Sequence, residues 1–120
     1  MSWNLDSDRP IFVQIIEHLE YDIVSGSLSP GAKVPSVREL ASEAAVNPNT
    51  MQKALSALEE SGLIVTQRNS GRYVTEDGAL IADYRKSAAL KAAKDYIEFA
   101  KSAGLTLEEA IEVLKEAESK

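Results

Sequence analysis

Residues Pro35 to Ala54 constrain the fold more than any other stretch of this 120-residue chain. They read as two short helices joined by a tight turn, each with its own start signal. Ser36 and Glu39 fit a capping box, in which the serine oxygen accepts from the third backbone N–H and the glutamate reaches back to the cap. Asn47-Pro48 marks a second start, because asparagine caps and proline at the first helical position has no N–H to leave unpaired. Leu40, Ala41, Ala44 and Ala45 supply a small apolar face on which two helices can cross closely. This is helix-turn-helix syntax. The second helix opens with Asn49, Thr50, Gln52 and Lys53, whose side chains suit base edges and phosphates.

The flanks complete a domain. Phe12, Ile15, Ile16, Leu19 and Ile23 recur at helical spacing and predict a first helix over 11–25 with one face in the core. Gly26 stops it, and Pro30-Gly31 makes a turn. The second motif helix ends at Ser61-Gly62. Leu63–Gln67 and Arg72–Thr75 are rich in β-branched and apolar residues, and Arg68-Asn69-Ser70-Gly71 joins them as a β-hairpin. The expected fold class is mainly α (α+β): a winged helix-turn-helix head over residues 1–75.

Residues 76–120 are a different object. One long helix is expected over 79–103, broken at Gly104. A capping box of Thr106 and Glu109 then opens a last helix. Two such helices cannot enclose a core alone, because so small a unit buries too little surface. Yet Leu80, Ile81, Tyr84, Leu90, Ile97 and Phe99 on the first, and Leu107, Ile111 and Leu114 on the second, form wide apolar faces. A second copy of the chain would cover them, so this segment is expected to be a homodimerisation arm.

Composition removes whole classes of function. There is no cysteine, hence no disulfide framework, thiol nucleophile or cysteine zinc site, and the single histidine, His18, makes no metal cluster. No metal or cofactor is expected, and no nucleophile–base pair or phosphate loop suggests an enzyme. The N-terminus lacks the basic-then-apolar pattern of a signal peptide. No apolar run approaches the ~20 residues that span a bilayer, so a cytoplasmic protein without a membrane partner is expected. The net charge of −6 speaks superficially against a nucleic-acid partner. However, residues 61–75 hold Arg68 and Arg72 and no acid, and residues 44–58 hold Lys53 and no acid. A local basic face matters more than the sum.

Val-Pro-Ser-Val-Arg-Glu-Leu-Ala (34–41) followed by Val-Asn-Pro-Asn-Thr (46–50) resembles the winged-helix domain of GntR-type bacterial transcription regulators. The resemblance extends over residues 9–74, through Arg-Pro-Ile-Phe-Val-Gln-Ile (9–15), Ile-Val-Ser-Gly-Ser-Leu-Ser-Pro-Gly (23–31) and the wing-like Ser70-Gly71-Arg72-Tyr73-Val74. A tail of two helices is similar to the short YtrA-like branch. The resemblance implies a homodimeric regulator, expected to be a repressor, that binds double-stranded DNA at a palindromic operator. Two residues depart from the family's wing: Asn69 stands for a glycine and Arg72 for a threonine. Asparagine tolerates left-handed backbone angles, so the turn is expected to survive, whereas Arg72 brings a charge to the wing.

The implied DNA-binding set is Ser36, Arg38, Asn47, Asn49, Thr50, Gln52, Lys53, Arg68, Gly71 and Arg72. Arg38 matches a base-reading arginine of the family, and arginine grips guanine O6 and N7 with two hydrogen bonds. Lys53 suits a phosphate, which positions without specifying. Ser36 is divided between capping and phosphate contact, and Asn47 is mainly a cap. Met51, Ala54, Leu55 and Leu58 read as core, His18 as a solvated helix residue, and Trp3 and Tyr73 as packing. Tyr84, Tyr96 and Phe99 are the candidates for a small-molecule effector site, with interface packing as the plainer reading. The alternative function is a winged helix that binds a protein instead of DNA.

Overall fold

The computed structural model describes residues 3–120. It contains α1 (Ile11–Ser25), α2 (Val37–Ala44), α3 (Pro48–Ser61), β1 (Ile64–Gln67), β2 (Gly71–Val74), α4 (Gly78–Ser102) and α5 (Leu107–Ser119). The chain divides into two compact units, a head that ends at Arg85 and an arm over Lys86–Lys120. Among the described residues, no helix is long and apolar enough to cross a membrane.

The head forms around α3. Met51, Ala54, Leu55 and Leu58 recur at helical spacing, and all four are buried. They meet Ile15, Leu19 and Ile23 of α1 and Leu40, Ala41 and Ala44 of α2 in one core. Both expected caps are made. Ser36 Oγ accepts from the Glu39 N–H at 3.1 Å while Glu39 Oε1 accepts from the Ser36 N–H at 3.2 Å. Asn47 Oδ1 accepts from the Asn49 N–H at 2.8 Å. Gly62 ends α3 at φ 88°, a left-handed angle at which a side chain is strained.

The antiparallel hairpin pairs Ile64 with Val74 and Thr66 with Arg72, so Ile64 and Val74 both enter the core. Asn69 adopts φ 65°, so the turn survives without the first glycine. Residues 31–34 lie along the free edge of β2. The Val34 N–H donates to the Arg72 carbonyl and the Val74 N–H to the Ala32 carbonyl, each at 2.9 Å. This strand-like edge carries no alternation in the sequence and was not expected.

Several expectations are corrected. Phe12 is not on the core face of α1 but 37% exposed. Ala45 is not part of the apolar face either: it is exposed and ends α2 in a left-handed conformation, φ 57° and ψ 47°. His18 is not solvated. Its ring stacks on Trp3 with centroids 3.9 Å apart, and its Nε2 lies 3.3 Å from Asp22 Oδ2 without hydrogen-bond alignment. The Trp3–Pro10 segment reaches α1 because Gln14 clasps it. The Gln14 amide accepts from the Asp6 N–H and donates to the Asp6 carbonyl, both at 2.6 Å.

The start of α4 belongs to the head. Asp77 Oδ1 accepts from the Leu80 N–H, Ile81 is buried in the head core, and Leu80 and Tyr84 pack against it. Arg85 Nε donates to the Val24 carbonyl at 2.8 Å. Leu80, Ile81 and Tyr84, expected in the dimerisation arm, instead face α4's own head.

Within the arm, the end of α4 and α5 meet through two small residues, Ala100 and Ala110, each 2% exposed. Tyr96 donates its hydroxyl to the Ala110 carbonyl at 2.7 Å. Thr106 and Glu109 complete the expected capping box.

Candidate nucleic-acid interface

Amphipathicity fixes which side of α3 is free. With Met51, Ala54, Leu55 and Leu58 inward, Asn49, Gln52 and Lys53 are exposed and Thr50 is half-buried. Asn49 and Gln52 are three residues apart, so their amides lie one helical turn from each other on the same face. The Asn47 side chain is spent on its cap, which leaves α3 with a donor-rich start and a positive dipole end.

Arg38 projects from the first turn of α2 and is exposed. Among the described residues, Arg38, Lys53 and Arg68 have no acidic partner. Ser36 accepts from the Glu39 N–H, yet its hydroxyl proton remains available to an anion. The arrangement therefore presents basic and amide donors to solvent on α2, on α3 and at the hairpin turn.

Lys33 joins this set and is not among the residues that the family resemblance implies. Its methylene stem lies against Gly71, where an added Cβ would come within 3.3 Å of Lys33 Cε. Lys33, Ser36, Glu39, Ser70, Gly71 and Arg72 line an open cleft of about 560 Å³. A lysine one residue before the Val-Pro-Ser turn was the available signal, but only the pairing of residues 31–34 with β2 brings it beside the wing.

Arg72 is placed differently from the expectation. It does not project from the wing tip; its Nε donates to Glu59 Oε1 on α3. The Arg72 guanidinium holds the Glu59 carboxyl below the usual carboxylate range; burial opposes this and a hydrogen bond from Thr66 assists it. Arg68 at the hairpin turn remains exposed.

Two helices meeting at a capped turn, a hairpin beside them and the exposed basic side chains Arg38, Lys53 and Arg68 are the parts of a DNA-reading head. The profile described as "Bacterial regulatory proteins, gntR family" matches residues 12–74. The chain belongs to the GntR family. It is 40% identical over 111 residues to the HTH-type transcriptional repressor YtrA of Bacillus subtilis, covering 92% of this chain and 85% of that one. A GntR family transcriptional regulator from Listeria monocytogenes superposes with a TM-score of 0.87 at 36% identity, covering 93% of this chain and 98% of that chain. The DNA-binding domain of AraR in complex with operator ORE1 superposes with a TM-score of 0.53 at 27% identity, covering 62% of this chain and 94% of that chain. The chain is a DNA-binding transcription regulator of winged helix-turn-helix type and not an enzyme.

Proposed function

We propose that this GntR-family regulator is a cytoplasmic repressor that acts as a homodimer on a two-fold-symmetric operator. The head supplies the DNA contacts and the arm the dimer contacts. The observation that carries this reading is the division of labour between solvent-facing groups. On the head, Arg38, Asn49, Gln52 and Lys53 are exposed on α2 and α3, whereas the exposed large apolar side chains Leu90, Phe99, Leu107, Ile111, Val113 and Leu114 lie in the arm.

In this reading Arg38 grips a guanine through O6 and N7, and Asn49 and Gln52 read neighbouring base edges. Thr50 packs at the groove wall. Lys33, Lys53, Ser36 and the N-terminus of α2 meet phosphates, which fix register. Asn47 holds the start of α3 in place, Gly71 lets the backbone pass close to Lys33, and Arg68 brings the wing to the duplex. In the arm, Leu90, Ile97, Phe99, Leu107, Ile111 and Leu114 cover one another across the two-fold axis. The half-sites then lie about one helical turn, ~34 Å, apart. YtrA carries the name repressor, which supports the sign of regulation.

The test is selection of duplexes from a random pool, followed by titration with salt varied. A symmetric site bound by two chains, resistant to random competitor, is the expected result. Arg38→Ala is then expected to cost about 1–3 kcal/mol on that site and to relax discrimination at one base pair. No enrichment over random DNA would turn the reading toward a protein partner.

A further inference from the structure

One strand of the wing is tied to a carboxylate of α3. Arg72 on β2 is the cross-strand partner of Thr66 on β1, and its Nε donates to Glu59 Oε1. Glu59 lies in the last turn of α3, just before Gly62. The pair is partly buried, with the Arg72 side chain 22% and the Glu59 side chain 32% exposed. Elsewhere the hairpin is held by its backbone pairing and by Ile64 and Val74 at its base. Towards the turn, Val65, Gln67 and Arg68 are exposed. The Glu59 link is therefore the side-chain tie nearest the wing tip that joins it to the helix set against the bases.

We propose that Arg72 is a positioning residue and not a DNA contact: through Glu59 it fixes the wing against α3 and so sets where Arg68 meets the duplex. This rests on the DNA-binding reading above. A second consequence is electrostatic. An acid on α3 repels nearby phosphates, and pairing it with Arg72 cancels that repulsion without spending either residue on DNA.

A direct phosphate contact by Arg72 makes the opposite forecast. Glu59 would then compete with DNA for the guanidinium, so removing Glu59 would tighten binding. A positioning pair instead loses affinity when either member is removed, by a similar factor, and loses no more when both are removed. The number of phosphates neutralised stays the same, so the salt slope does not move.

The experiment uses the full-length protein with Glu59→Gln, Arg72→Gln, the double variant and the exchanged pair Glu59→Arg/Arg72→Glu. Affinity for the selected duplex is measured across a salt series, and amide hydrogen exchange of the wing is measured without DNA. Each single variant is expected to weaken binding by about two- to fivefold, as for a partly exposed ion pair, with the double no worse. The exchanged pair is expected to recover most of the loss. Tighter binding by Glu59→Gln, or a salt slope lowered by about one in Arg72→Gln alone, would overturn the proposal. If wild-type protein prefers no duplex, the DNA-binding reading fails, and the exchange data still judge the tie. Faster wing exchange in both single variants supports it, and unchanged exchange refutes it.

Discussion

Head and arm are both mostly helical, but they solve the burial problem in different ways. The head draws side chains into one core from each of its elements, from Ile15 on α1 to Ile81 on α4. The arm buries only alanines, Ala100 and Ala110, while Leu90, Phe99, Leu107, Ile111, Val113 and Leu114 stay exposed. Alanine lets helices approach closely but removes little apolar area from water, and area sets the hydrophobic gain. The head can therefore spend its surface on polar and charged groups that meet a ligand. The arm leaves large apolar side chains uncovered among its charged ones, and these are the contacts that the proposed dimer would bury. α4 contributes to both units: its first turns complete the head core, and its end carries the exposed Phe99.

That contrast can be broken most severely by cutting the chain. Truncation after Arg85 is expected to leave a cooperatively melting head, whereas truncation after Thr75 removes Leu80, Ile81 and Tyr84. Loss of one such buried side chain costs about 2–5 kcal/mol, so the shorter fragment is expected to lose most of its stability in urea denaturation. Equal melting of both fragments would place α4 outside the head. The arm is tested next. Covering a Leu or Phe contributes about 1.5–3 kcal/mol, so Phe99→Glu with Leu114→Glu is expected to weaken self-association by at least about a hundredfold. Sedimentation would then report monomers whose melting resembles that of the Arg85 fragment.

Two smaller effects sharpen the description of the head. Ala45 holds a left-handed angle that costs a residue with a Cβ about 1–2 kcal/mol, while glycine adds backbone entropy to the unfolded chain. Ala45→Gly is therefore expected to raise stability by about 0.5–1 kcal/mol, readable as a shift in the urea midpoint. Glu59 gives the smallest effect. Its folded pKa lies below the ordinary 4.5, so its stabilisation is complete above that value and is lost as the pH falls through the folded one. Glu59→Gln is expected to lose less stability than wild type between about pH 5 and pH 3, by under about 1 kcal/mol. Parallel acid titrations of the two proteins would remove the pair from the account.

Local chemistry determined a great deal of this protein from sequence alone. The boundaries of α1 and α3, both capping boxes, the hairpin and the buried stripe of α3 depend on residues a few positions apart. Their signals are spacing, cap identity and turn residues, which do not need the rest of the chain. The exposed polar row of α3 was legible for the same reason, because burying one face of a helix frees the other. What only the tertiary structure decided depends on residues far apart in sequence. Arg72 looked like a free wing charge until α3 brought Glu59 beside it. His18 looked solvated until Gln14 drew Trp3 over α1. Lys33 reached the wing through the edge that residues 31–34 add to β2. Ile81 shares its apolar character with Leu90 and Phe99, and periodicity records that a face is apolar without recording what covers it. Which apolar face found a partner within the chain, and which stayed exposed, was settled by the packing of the head.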